Sequence, residues 1–380
     1  MTVLTAAPLP AFPADLTPDA LTPIISALHP GVRVETAEIL EVHGYGEVNV
    51  STSARVSLNL SYGAGAPDNL PTRVIAKMQL TESIWCGKLY ALFQNEVEFY
   101  NRIRPELDIE TPRALGGSFD AASSRYILLL EDISTKNPHF CSQLDTVGVV
   151  EVQALLKILA RLHARYWESP RFTDDLSWVQ TQTEGSVEEL LQGLSRQGTQ
   201  AELAEHKYKR AFLEQLGMTE EEIFRSMIAM KRNRASMPQT LLHGDTHFGN
   251  SYRLPDGQAG LYDWQVFLRG FCMQDVSYAI VTALGIDQRR AHERELITFY
   301  RECLIAEGVM TPPSMDMLWL EHRRAMLWAF YLGWLPCPTE NYGWELTVLA
   351  LQRTSAAAAG LGRRGALRDP WHRRDTIPVI

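Results

Sequence analysis

Two histidines, an aspartate and an asparagine crowd the decapeptide LLHGDTHFGN (residues 241–250): His243, His247, Asp245 and Asn250, with glycines at 244 and 249. A further acid, Asp263, follows in YDWQ. Pro255-Asp256-Gly257 between them is a turn with a mechanism, since Pro presets φ and Gly accepts positive φ. Short strands at 251–254 and 259–262 would flank it as a hairpin. If the turn centres between Asp256 and Gly257, Asn250 pairs with Asp263. Directly opposed residues of an antiparallel hairpin lie about 4.5–5.5 Å apart at Cα and project to one face. One amide oxygen and one carboxylate then converge, hard oxygen ligands suited to Mg²⁺ held jointly with a substrate phosphate. Asp245, just upstream, can face whatever such an ion positions. His243 and His247 stand four apart and raise zinc as another reading. Glycines at 244 and 249 argue against a helix that would align the rings, and neither H-E-x-x-H nor a third ligand accompanies them.

The spacing Asp245–x₄–Asn250 is that of the kinase catalytic loop, H-x-D-x-x-x-x-N, with a metal-binding Asp on the next strand. HGDTHFGN…YDWQ resembles the loop of the aminoglycoside phosphotransferase and choline kinase superfamily, closest to its ecdysteroid kinase-like branch. The remaining parts appear in the family's order over about residues 35 to 285. VIAK resembles the phosphate-binding lysine strand and ends at Lys77. In LYALFQNEVEFYNRI (89–103), Glu96 falls on the apolar stripe of Leu89, Leu92, Phe93, Tyr100 and Ile103, whereas Glu98 points about 200° away from it. A buried unpaired charge is very costly, so pairing Lys77 with Glu96 serves both residues. It is also the pair that active kinases require. In the resembling family the strand of YILLLEDI leads into the hinge, which implies main-chain contacts from Glu131 and Ile133 to the nucleotide base. HGYGEV, with Gly44 and Gly46, stands where a glycine-rich phosphate loop would lie but lacks the full G-x-G-x-x-G. Protein kinases have DFG where this chain has Asp263-Trp264-Gln265, and a lysine where it has His247. The resemblance therefore does not say which group neutralises the γ-phosphate.

These residues need a sheet and a helical body to hold them. Thr17-Pro18 reads as cap and first residue of a short helix to about Leu28. RVSLNLSY (55–62) alternates as a half-buried strand, RVIAKM (73–78) is a second and RYILLL (125–130) a third. From EVQALLKILARLHARYW onward, apolar residues at helix spacing dominate. Asp275 reads as the cap of the helix over VSYAIVTAL, and His163 as a satisfied, semi-buried residue. Aromatics between 319 and 344 read mostly as core, with some facing an acceptor pocket. The expected class is α+β, a protein-kinase-like two-lobed fold. Residues 1–132 form an antiparallel-sheet lobe, 133–355 a larger helical lobe, and 356–380 an Ala/Gly/Arg-rich tail ordered only in part.

Composition sets the outer bounds. The 380 residues are 46% apolar with net charge −9, which argues against broad nucleic-acid binding. Five cysteines without a C-x-x-C pair fit a reducing cytoplasm, and no apolar run approaches the ~20 residues of a membrane span. The expected activity is transfer of the ATP γ-phosphoryl group, with Mg²⁺, to a hydroxyl of a small molecule, steroid-like, antibiotic or metabolite. Asp245 would be the base, Lys77, oriented by Glu96, would hold the α/β-phosphates, and Asn250 and Asp263 would hold the metal. The alternative is a catalytically silent pseudokinase that binds a nucleotide or ligand.

Overall fold

The computed structural model describes residues 8–43, 53–79 and 89–361. Gly44 and Gly46 lie outside them. The chain divides into two compact units: Met1–His139 with Leu261–Val266, and Phe140–Gly260 with Phe267–Ile380. The sequence reading left 261–266 with the second domain; the structure groups that segment with the first.

The first unit is built on a five-stranded antiparallel sheet in the order β1–β2–β3–β5–β4, from β1 (Val34–His43), β2 (Ala54–Tyr62), β3 (Arg73–Met78), β4 (Ala114–Asp120) and β5 (Arg125–Glu131). Val56, Leu58 and Leu60 alternate into the core as the period of two requires. On β5 the run Tyr126–Leu130 is buried on both faces, hence its unbroken hydrophobicity. Helix α1 (Pro18–Leu28) starts as its sequence dictates, with the Thr17 hydroxyl accepting the Ala20 N–H and Pro18 in the first turn. Helix α2 (Tyr90–Glu98) runs into a π-helical turn, Phe99–Ile103. The inserted segment packs Trp264 flat against Phe99, ring centroids 4.0 Å apart, and its indole N–H donates to the Thr111 hydroxyl.

The second unit is mostly helical. Its helices are α3 (Val149–Arg165), α4 (Ser186–Glu205), α5 (Lys207–Leu216), α6 (Glu220–Arg234), α7 (Met273–Ala283), α8 (Ile286–Ala306), α9 (Met315–Tyr331), α10 (Thr339–Tyr342) and α11 (Trp344–Leu361). Residues 356–361 of the expected tail thus continue α11. Trp328, Phe330, Tyr331 and Trp334 are buried in its core, whereas Trp344 is exposed. No helix among the described residues is long and apolar enough to cross a membrane. Short strands β7 (Thr240–Leu242) and β10 (Leu268–Gly270) pair antiparallel, and β6 (His139–Phe140), β8 (Ser251–Arg253) and β9 (Ala259–Leu261) form a three-stranded sheet in the order β6–β8–β9.

The hairpin turn departs from the sequence reading. Leu254 N–H donates to the Gln258 carbonyl and Gly257 N–H to the Leu254 carbonyl, with Gly257 at φ 88°. This is a three-residue loop closed by a left-handed glycine, so Leu254 opposes Gln258 and the register moves by one residue. Counting that set Asn250 opposite Asp263 therefore fails, and β9 ends at Leu261, short of it.

Trp264 is fully buried, so truncation to Ala should cost about 3–5 kcal/mol. A urea midpoint unchanged in Trp264→Ala would show that the inserted segment does not support the first unit.

Candidate active site

Lys77 comes to the site from β3 and Glu96 from α2. Both are buried, and the Lys77 Nζ lies 2.9 Å from Glu96 Oε1 and 2.8 Å from Oε2. A third member, Asp263, places Oδ1 3.1 Å from the same nitrogen. Asp263 takes φ 65°, a left-handed conformation that aspartate tolerates better than most residues, and this local twist aims its carboxylate where the ladder does not reach. Burial works against the Lys77 ammonium, but Asp263 and Glu96 outweigh it and hold its pKa above the ordinary lysine value. Glu96 is pushed up by burial and by Asp263, against the pull of Lys77. The lysine is thus a fixed positive charge, and Asn95 braces the inserted segment by donating to the Gln265 carbonyl.

Glu131 ends β5 and Ile133 opens a 3₁₀ turn, Ile133–Lys136. The Glu131 side chain is committed to Arg113 at 2.9 Å and Lys136 at 3.0 Å, and its N–H donates to the Arg113 carbonyl. Its side chain is therefore not available to read a base, which leaves its carbonyl for any contact of that kind. Burial would raise its pKa, yet the hydrogen bonds and charges of Arg113 and Lys136 prevail and lower it.

On the second unit, Asp245 and Asn250 stand on the loop after β7. Asn250 Nδ2 donates to the Asp245 carbonyl at 2.9 Å and to its Oδ2 at 3.1 Å. The Asp245 side chain is 38% exposed, open enough to meet a substrate. His243 is fully buried, and its Nδ1 accepts the Asp245 N–H at 3.2 Å, a bracing role rather than a metal role. Among the described residues, the group whose ligand atoms gather closely enough to hold a metal is Glu202, His206 and Glu340, which includes neither His243 nor His247. Lys209 already neutralises Glu202 there, at 2.7 Å.

What holds this loop went unread in the sequence. Asp275 does not cap α7, whose N-cap is Cys272. Its fully buried carboxylate accepts the N–H groups of His243 at 2.7 Å and Gly244 at 3.0 Å. His163 is fully buried rather than semi-buried; its Nε2 lies 3.3 Å from Asp275 Oδ2, and its Nδ1 lies 2.7 Å from the Tyr300 hydroxyl. Thr246 Oγ1 donates to the Asp275 carbonyl, and Phe248 N–H to Thr282 Oγ1. A sequence signal existed: an acid in the first turn of an otherwise wholly buried helix needs partners of its own.

An asparagine at 275 offers one acceptor where two N–H groups need one each. Asp275→Asn should therefore lose about 1–3 kcal/mol, visible as a lower melting temperature. A variant as stable as the parent would remove the anchor from the account. For Glu131 the folded pKa lies below its ordinary 4.5, so its pairing contributes stability above that value, lost as pH falls through the folded pKa. Glu131→Gln should flatten the acid limb of the unfolding curve below pH ~4.5; superimposable acid limbs would contradict the pairing.

The profile of the ecdysteroid kinase-like family matches residues 46–308, more than half of the chain. No curated protein matches the chain in sequence. Among solved structures, Plasmodium vivax ethanolamine kinase Pv091845 is similar with TM-score 0.50 at 11% identity, over 84% of this chain and 81% of that one. The GDP and kanamycin complex of APH(2")-IIia gives 0.50 at 10% identity, over 89% and 98%. Choline kinase LicA from Streptococcus pneumoniae gives 0.45 at 14%, over 85% and 94%. At such identities the likeness is one of fold, that of protein-kinase-like small-molecule kinases. On the family match, this chain belongs to the ecdysteroid kinase-like family.

Proposed function

We propose that the protein is a small-molecule kinase that transfers the γ-phosphoryl group of ATP to a hydroxyl of a small, fairly apolar acceptor. The observation that carries this reading is the Lys77 ammonium, fixed and charged by Glu96 and Asp263. A lysine so held is a rigid counter-charge for the α- and β-phosphates. Asp245 accepts the hydrogen bond of the acceptor's hydroxyl. As the new O–P bond forms and the bond from the γ-phosphorus to the bridging oxygen breaks, the hydroxyl proton passes to the Asp245 carboxylate and ADP leaves. The transition state is loose, so most of the rate gain comes from position and electrostatics.

Asn250 and Asp263 fit the role of Mg²⁺ ligands by donor chemistry. The Asn250 amide turns its nitrogen to Asp245, which leaves its oxygen as the ligating atom, and the Asp263 side chain is 38% exposed. When bound, the ion would neutralise charge that develops on the phosphate oxygens. Glu131 and Ile133 are assigned to the nucleotide base through main-chain groups. The apolar character of the acceptor rests on the match to the ecdysteroid kinase-like family.

Asp245→Ala should lower kcat by about 10²–10⁴-fold and leave the Kd for Mg-ATP within about twofold. Asp263→Ala should instead weaken Mg-ATP binding in calorimetry. Equal loss of nucleotide affinity in the two variants would overturn these roles. A Mg-ATP consumption screen over hydroxylated metabolites, sterols and antibiotics tests the activity, and no consumption with any acceptor would leave the silent binding module as the reading.

A further inference from the structure

His247 stands where protein kinases carry a lysine, and the reaction scheme above gives it no task. Its Nε2 lies 3.7 Å from Asp245 Oδ2, and its side chain is 21% exposed. A bare Nε2 would turn a lone pair on a carboxylate oxygen, so the ring hydrogen belongs on Nε2. A neutral imidazole carries one such hydrogen, which leaves Nδ1 as an acceptor. The group facing Nδ1 is the Gln143 amide nitrogen, a donor, at 3.5 Å. Both distances are long, as catalytic contacts often are before substrate draws them in.

The surroundings hold this arrangement. Gln143 is 2% exposed, and its carbonyl accepts from Arg353 Nη1 at 2.9 Å. Arg353 is itself buried and also donates to the Thr282 carbonyl at the end of α7, where a cation meets the negative end of the helix. A Cβ at Gly249 would lie 3.0 Å from Cε1 and Nδ1 of the ring, so any larger residue there would push the imidazole by a few tenths of an ångström. Tyr278 and Trp334 meet the ring edge-on, with centroids 6.2 and 6.0 Å away.

We propose that His247 is a positioning residue for Asp245, held by Gln143 in the tautomer that presents Nε2–H to Oδ2. Asn250 Nδ2 converges on the same oxygen at 3.1 Å. The Asn250 hydrogen bond and, at 3.7 Å, the attraction of the Nε2–H dipole favour one carboxylate rotamer and leave Oδ1 as the oxygen that takes the proton of the acceptor's hydroxyl. The kinetic consequence rests on the phosphotransfer reading; the tautomer does not.

Glutamine can replace the Nε2 donor of histidine, and asparagine only a donor at the Nδ1 position. His247→Gln should keep kcat within about threefold of the parent, while His247→Asn and Gln143→Met should lose about tenfold or more, all with unchanged KM for ATP and unchanged unfolding midpoints. Equal kcat in the Gln and Asn variants, or losses that follow KM or stability, would overturn the positioning role. The ¹⁵N shifts of the His247 ring, assigned by their disappearance in His247→Gln, give a readout that needs no turnover. A protonated Nε2 with a bare Nδ1 supports the tautomer, and a bare Nε2 refutes it. If the parent consumes no ATP with any acceptor, the phosphotransfer reading and with it the kinetic role fail, while the nitrogen shifts still decide the tautomer.

Discussion

Asp275 carries an acidic group where no water reaches it, and the shape of the loop over residues 243–250 follows from what that group must bind. A buried carboxylate is tolerated only when donors surround it. Here the donors are the backbone N–H groups of His243 and Gly244, with His163 as the third neighbour. Because two successive amides point at one side chain, the chain at 243–244 has little freedom, and Asp245 is delivered in one direction. The rest of the loop is tied to the same helix through Thr246 and Phe248. Rigidity at this loop is therefore a property of α7, not of the loop's own glycine-rich composition.

The first unit solves a different electrostatic problem. Lys77 faces two carboxylates from different parts of the chain, Glu96 from α2 and Asp263 from the inserted segment. Either acid alone would leave the ammonium's position loosely defined; together they bracket it. Asn95 and Trp264 secure the segment that brings the second acid, so packing and charge placement are one arrangement.

Much of this was legible in the sequence because it is local. Periodicity found β2, β3 and β5, a Thr-Pro pair found the start of α1, and the buried-stripe position of Glu96 anticipated its partner Lys77. Register was harder: one residue in the turn around Gly257 decides it, and Pro-Asp-Gly serves two loop lengths equally well. Which residues meet in long-range polar contacts was not legible, even where the need for a partner was. Nothing near Asp275, His163 or Tyr300 in the chain announces that they meet, since residues 163, 275 and 300 come from three different helices. Arg353 is the same case, a lone basic residue in an alanine-rich helix whose acceptors lie far away in sequence.

The placement of Leu261–Val266 with the first unit also orders events in time. A ribosome finishes residues 1–139 long before it reaches Trp264, so until that segment is made Phe99 has no Trp264 ring to stack on and Lys77 lacks one of its two acids. Most of the material of the second unit that precedes the hairpin has emerged by then. Completion of the amino-terminal body during synthesis is thus a late event, set by the arrival of six residues borrowed from beyond the middle of the chain.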